Sequence, residues 1–250
     1  MVSVFIRRFR NNFESDWMKN FIGIFTLVFI FPVMANAQNV SSPSIDKGVW
    51  EFNNNATYAV NNSDNDVFEQ KTRVEYGLLD WLALTYAAEF EQVENNSIEF
   101  ENSEFRAIIG LTGEGAPINA AMRVLYDLDH IGDSDSVGLE LLLGQRFGKW
   151  RHLLNVDTAH KVGEKSESGL ELDLAWGSYY QLDNFRLGGE YLWDMNRIKD
   201  HQRYSSQAHQ VGVSVKFSGG LVAKPLEEID LEFAYYHGLS READDGVFKN

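Results

Sequence analysis

Cysteine is absent from this 250-residue chain, which excludes disulfides, thiolate metal sites and cysteine catalysis and is compatible with an exported protein. Basic charge is scarce as well: Lys and Arg number 22 against 37 Asp and Glu, a formal net charge of -15. Nucleic acid is therefore excluded as a partner. Divalent cations could still bridge so acidic a surface to the phosphates of lipopolysaccharide. A long apolar run is also missing. The longest, residues 21–34, is interrupted by Pro32 and falls short of the ~20 residues that a spanning helix needs.

That run has another reading. Met18, Lys19 and Asn20 precede it, and Ala35, Asn36, Ala37 and Gln38 follow, the layout of a signal peptide cut after Ala37. Residues 1–37 are thus expected to be an upstream extension plus signal peptide, with Met1 or Met18 as the start, 38–47 a short polar leader, and 48–250 a single domain. Within residues 1–37 Arg7, Arg8, Arg10 and Lys19 outnumber Glu14 and Asp16 by two, so the remainder is more acidic than the whole.

What the chain does have is alternation. Across residues 118–147, Ile118, Ala120, Met122, Val124, Tyr126 and Leu128 fall on one side, with Asn119, Arg123 and Asp127 on the other. After a polar loop, Val137, Leu139, Leu141, Leu143 and Phe147 form a second apolar row opposite Gly138, Glu140, Gly144 and Arg146. Only a strand gives this period. The same pattern recurs over 48–60, 67–76, 82–91, 98–112, 150–161, 169–182, 185–194, 209–217 and 228–239, with a change of parity that predicts a β-bulge near Asn102 and Ser103. Charges fill one face: Glu69, Lys71, Arg73, Glu75, Glu104, Arg106, Arg123, Asp127, Glu140, Arg146, Arg151, Asp157, Glu171, Asp173, Arg186, Glu190, Lys216, Asp230 and Glu232. Apolar residues fill the other.

Apolar outside and charged inside predicts an all-β, antiparallel, up-and-down transmembrane β-barrel. Eleven strands are readable and about 12 are expected, an even number, with the last one truncated after residues 247–250. Short turns at 77–81, 113–117, 148–149 and 183–184 alternate with longer loops, which predicts periplasmic turns and extracellular loops. Trp50, Tyr76, Trp81, Phe147, Trp150, Tyr180, Phe185 and Phe217 then form a low membrane-interface belt, and Tyr58, Phe68, Phe90, Tyr126, Trp193 and Tyr235 a high one. No segment looks long enough to plug the interior.

The stretch from Glu75 through Gly77, Asp80 and Trp81 to Leu84, the hairpin through Gly138, Leu139, Glu140 and Leu141, and the closing 235–246 with Gly238, Leu239 and Ser240 resemble a group of uncharacterised outer-membrane β-barrel proteins of Gram-negative proteobacteria. The resemblance implies fold and location, and it supplies no catalytic residue.

For catalysis, His152 and His160 share an outward row and Ser178 stands on that of the next strand, without a third, orienting group. Asp127, Asp129, His130, Asp133 and Asp135 could supply a protease-like rim, and the same loop could hold calcium, but Gly132 is misplaced for an EF-hand. No catalytic, metal or cofactor residue is assigned. The leading expectation is a porin-like outer-membrane channel for small polar solutes, lined by the inward charges. Alternatives are a closed structural or adhesive barrel whose acidic loops bind cations, lipopolysaccharide or a partner, and an outer-membrane hydrolase. Expected partners are outer-membrane lipid, lipopolysaccharide, a small polar solute and the barrel-insertion machinery.

Overall fold

Period-two alternation becomes hydrogen-bonded strand along most of the chain. The computed structural model describes residues 2–10, 40–59, 67–93, 97–113, 115–132, 134–163, 166, 169–198, 207–218 and 229–240. Its strands are β1 (Val2–Arg10), β2 (Val49–Ala59), β3 (Val67–Leu79), β4 (Leu82–Val93), β5 (Glu99–Gly110), β6 (Asn119–Asp129), β7 (Asp135–Phe147), β8 (Trp150–Val162), β9 (Glu171–Gln181), β10 (Phe185–Arg197), β11 (Ala208–Ser218) and β12 (Ile229–Gly238). From β2 to β12 every strand pairs antiparallel with its sequence neighbours. The β7–β8 connection is only Gly148 and Lys149, with Gly148 at φ 57°, a left-handed conformation that glycine adopts without strain. In β5 the register with β4 shifts so that Glu89 faces Asn102 and Phe90 faces Phe100, which leaves Glu101 as the extra residue.

The expected closure does not hold. The first and last strands of the meander, β2 and β12, are not paired with each other, so these eleven strands do not close into a barrel on their own. What stands between them is β1, antiparallel to both, with Val2 opposite Ala56 of β2 and Phe233 of β12. This strand lies in the stretch assigned from sequence to the upstream extension and signal peptide. The run 21–34, the cut after Ala37 and the closing strand sought at 247–250 all lie outside the described residues. The 12-stranded transmembrane barrel is therefore corrected to an eleven-stranded antiparallel sheet, β2–β12, whose ring of strands is completed only through β1. Alternation reveals which face a side chain takes. It is silent on the tilt and stagger that closure requires.

The assignments that rested on closure are withdrawn with it: the outer-membrane location, the transmembrane, porin-like and transport classes, and outer-membrane lipid, lipopolysaccharide, solute and insertion machinery as partners. No helix among the described residues is long and apolar enough to cross a membrane.

The aromatics read as interface belts make cross-strand pairs: Trp50 with Tyr76 at 4.6 Å between ring centroids, Phe90 with Phe100 at 5.3 Å, Trp150 with Tyr180 at 5.1 Å and Phe217 with Phe233 at 5.7 Å. Such pairs stabilise adjacent strands. Trp81, Tyr126, Phe147, Phe185 and Tyr235 are exposed on the outer face, while Phe68 and Trp193 are half-buried. The side chain of Tyr58 lies outside the described set. Val213 and Tyr235, each 64 % accessible, lie opposite one another among Val211, Val215, Leu187 and Phe233. Together these side chains form an exposed apolar patch on the outer face.

On the inner face glycine makes room for rings. A Cβ on Gly177 or Gly188 would fall within the Tyr179 ring, and one on Gly212 within that of Tyr236. The Tyr179 ring cannot step aside, because it is buried, donates a 3.0 Å hydrogen bond to Glu190 and carries the Arg186 guanidinium 4.3 Å from its centroid. Gly188→Ala should lower the unfolding free energy by about 1–3 kcal/mol, the usual cost of overpacking, measurable by chemical denaturation.

Candidate functional site: the charged inner face

Alternate residues of β3 to β12 point to the inside of the curved sheet, where they leave bulk water and must find partners. Lys71 of β3 reaches Glu89 of β4 at 3.0 Å and Glu104 of β5 at 3.4 Å. Arg106 donates to Glu104 from Nη2 at 2.6 Å. Burial alone would raise the Glu104 carboxyl, but Arg106 and Lys71 outweigh it and hold it well below the usual carboxylate range. One register step on, Arg123 of β6 pairs with Glu140 of β7, whose other oxygen accepts from Asn155 Nδ2 of β8 at 2.7 Å.

A second network lies across β9 to β12. Arg186 donates to both oxygens of the buried Glu232 at 3.0 and 3.2 Å, and Lys216 stands 3.9 Å from the same carboxylate. Glu190, also buried, accepts from the hydroxyls of Tyr179 and Tyr236. Burial, followed by the charges of Glu190 and Glu232, drives the Tyr236 hydroxyl well above its ordinary range, so it stays a donor.

Elsewhere the face is acidic. Glu69 faces Glu91 across β3 and β4, and burial, then Glu89, Glu101 and Glu91, push its carboxyl up to about 8. Burial, Glu89 and Glu91 raise Glu101 to about 7. Asp127 and Asp157 each rise to about 6, mainly through burial and then through Glu104 and Glu140 respectively. Asp173 is raised by burial and by Asp194, its partner in register on β10. Glu75 accepts from the Thr85 hydroxyl at 3.0 Å. Glu171 is half-buried at the start of β9, Arg146 is exposed near the end of β7, and the side chain of Asp230 is outside the described set.

The feature that sequence reasoning missed is residues 40–47, read there as a polar leader. They form a strap across the inner face. Val40 is buried with Leu153 and Tyr179, and Ile45 packs on the buried cluster Ala83, Ile108, Ala121 and Leu142. Between these anchors Arg151 of β8 donates to the Ser42 hydroxyl, and Pro43 lies over Gly144. At its exit the strap is latched to β3: Gly48 N–H donates to Gly77 O at 2.7 Å, and Lys47 pairs with Asp80 at 2.9 Å. Any Cβ at Gly77 would collide with the Asp46 carbonyl. The available signal was small residues, Ala83, Ala121, Gly77 and Gly144, at inward positions otherwise rich in charge. A pore lining does not describe a face crossed in this way.

The candidate catalytic groups are held apart or used elsewhere. His152 and Ser178 are register partners on the outer face with no hydrogen bond between them, and His152 stacks on Trp150 at 6.1 Å. His160 lies eight residues further along β8, roughly 26 Å away at strand rise, and its ring pairs with the Gly169 carbonyl at 2.8 Å. In the 129–135 loop the carboxylates cap the turn: Asp129 accepts from Gly132 N–H at 2.6 Å and Asp135 from Asp129 N–H at 3.1 Å. His130 is bound to Ser103 at 3.0 Å and stacked on Phe100 at 4.5 Å. Asp133 is outside the described residues.

Comparison with protein-family models, with curated proteins and with solved structures finds no match. The resemblance to outer-membrane β-barrel proteins is thus corrected. The residues that carried it serve generic ends: Asp80 and Trp81 make the β3–β4 turn, 138–141 are inner and outer positions of β7, and Leu239 N–H closes the end of β12 on the His209 carbonyl at 2.7 Å.

The raised carboxyls fix the sign of the pH dependence. Glu69 and Glu101 bind protons more tightly folded than unfolded, so they lose stability as pH rises from their ordinary 4.5 through about 8 and about 7. Glu104 has the opposite sign and loses its contribution as pH falls below 4.5. Thermal melting should therefore show greatest stability near about pH 5 and a decline toward pH 8, and Glu69→Gln should flatten that decline.

Proposed function

We propose that this chain is a non-catalytic binding protein whose charged inner face holds an extended, largely polar segment, with residues 40–47 as the occupant in cis. The carrying observation is the seating of that strap: two aliphatic anchors five residues apart, Val40 and Ile45, each against its own apolar cluster, with Ser42 between them held by Arg151 of the inner face. Anchors at fixed spacing give register, and the polar contacts between them give orientation. A tethered segment competes with free ligands at an effective concentration on the order of millimolar. The wild-type face is accordingly closed to weak competitors.

The test uses the full chain with Val40→Ser and Ile45→Ser, which weakens both anchors without touching the sheet. A fluorescent peptide of residues 40–47 should bind this variant, read by anisotropy, and bind the wild type at least about tenfold more weakly. A folded double variant that takes up no peptide, or a wild type that binds equally well, would sink the proposal.

A further inference from the structure

Among the inward cations Arg73 differs from its neighbours. Lys71, Arg106, Arg123 and Arg186 each have a carboxylate within ion-pairing distance. Arg73, a half-buried residue, has none: no hydrogen bond or ion pair joins it to a described residue, and its Nε is buried without a hydrogen-bond partner, as are those of Arg106, Arg123 and Arg186. It sits at the middle of β3 opposite Ala87, a buried methyl that offers no polar contact. Glu104, the residue opposite Ala87 on β5, is already committed to Arg106 and Lys71. Glu75, two residues along β3, is bound by Thr85. On β2 the residue in register with Arg73 is the buried Asn53, a neutral amide whose Oδ1 makes no hydrogen bond, and Arg123, whose charge also reaches Arg73, is committed to Glu140.

We propose that Arg73, backed by Arg106 and Arg123, forms a binding site for a small oxyanion, a carboxylate or a phosphate. A guanidinium desolvated beside other guanidiniums is costly unless an anion joins it, and its planar fork matches the two oxygens of either group. The electrostatic state of Arg73 agrees: burial, followed by the Arg106 charge, lowers its affinity for its own proton to about 10, and Glu104 only partly offsets this. The site is independent of the strap, whose latch is at Gly77 and whose polar contact is Arg151.

The experiment is a titration of the full-length protein with sodium phosphate, sodium acetate and sodium chloride at constant ionic strength, following thermal melting and the Arg73 Nε–H resonance. Saturable stabilisation by phosphate or acetate beyond that of chloride, with a shift of the Arg73 resonance, is the expected result. A response to phosphate alone identifies a dianion site, and one to acetate a carboxylate site. Arg73→Gln should melt no lower than wild type without anion and lose about tenfold or more in anion affinity, while Arg73→Lys should keep part of it. Equal anion responses in wild type and Arg73→Gln would overturn the assignment. If Arg73→Gln does not fold, the wild-type resonance decides alone: its indifference to both phosphate and acetate refutes the site.

Discussion

Charges turned to the inside of a curved sheet have to neutralise one another, and that constraint governs the rest of this structure. A lone buried carboxylate or guanidinium costs several kcal/mol even after relaxation. Here carboxylates are shared between strands: Glu104 serves Lys71 and Arg106, Glu140 serves Arg123 and Asn155, and Glu232 serves Arg186 and Lys216. Each sharing fixes a register between strands that may be distant in sequence, as Arg186 and Glu232 are. Those links specify the sheet more than they stabilise it, because the Coulombic gain is largely spent on desolvation. The apolar outer face is the complement of the same choice, since the period of two leaves leucine, valine and aromatic residues on the side that the charges vacate.

Strand existence, order and facing were legible in the sequence because they depend on a period of two and on local turn chemistry. β6 and β7 run over Asn119–Asp129 and Asp135–Phe147, close to the two halves of the 118–147 hairpin. The bulge fell one residue from the predicted pair, at Glu101 rather than Asn102 and Ser103. Closure was not legible. It depends on which edges meet after the sheet has curved, and the edge partner of β2 and β12 is a short segment, Val2–Arg10, in the stretch read as an upstream extension. Placing a charge on the inner face was within reach of pattern reading. Deciding which charge is matched was not, since Arg73 and Arg106 occupy equivalent positions in the alternation and differ only in whether a carboxylate lies within reach.

The strap explains a second blind spot. Residues 40–47 have no periodicity, being three serines, a proline and two separated aliphatics among polar groups, so nothing marks them as part of a core. Their burial is visible only from the other side, in the alanines and glycines that interrupt the charged rows where the strap passes. Ala83, Ala121 and Gly144 look like weak strand residues when taken one strand at a time. Together they outline a path for main chain, with the branched side chains of Val40 and Ile45 packed against its two apolar clusters.

The position of the strap also orders events during folding. Each pairing from β2 to β12 joins strands adjacent in sequence, so the meander can zip hairpin by hairpin at small loop-closure entropy. The strap obeys a different rule. Its contact with Arg151 spans 109 residues, and its two apolar seats do not exist until β4 to β9 have aligned. It can dock only once those strands are in place. Its slow arrival would then report alignment of β4 to β9, and kinetics monitored there would lag those of the hairpins beneath it.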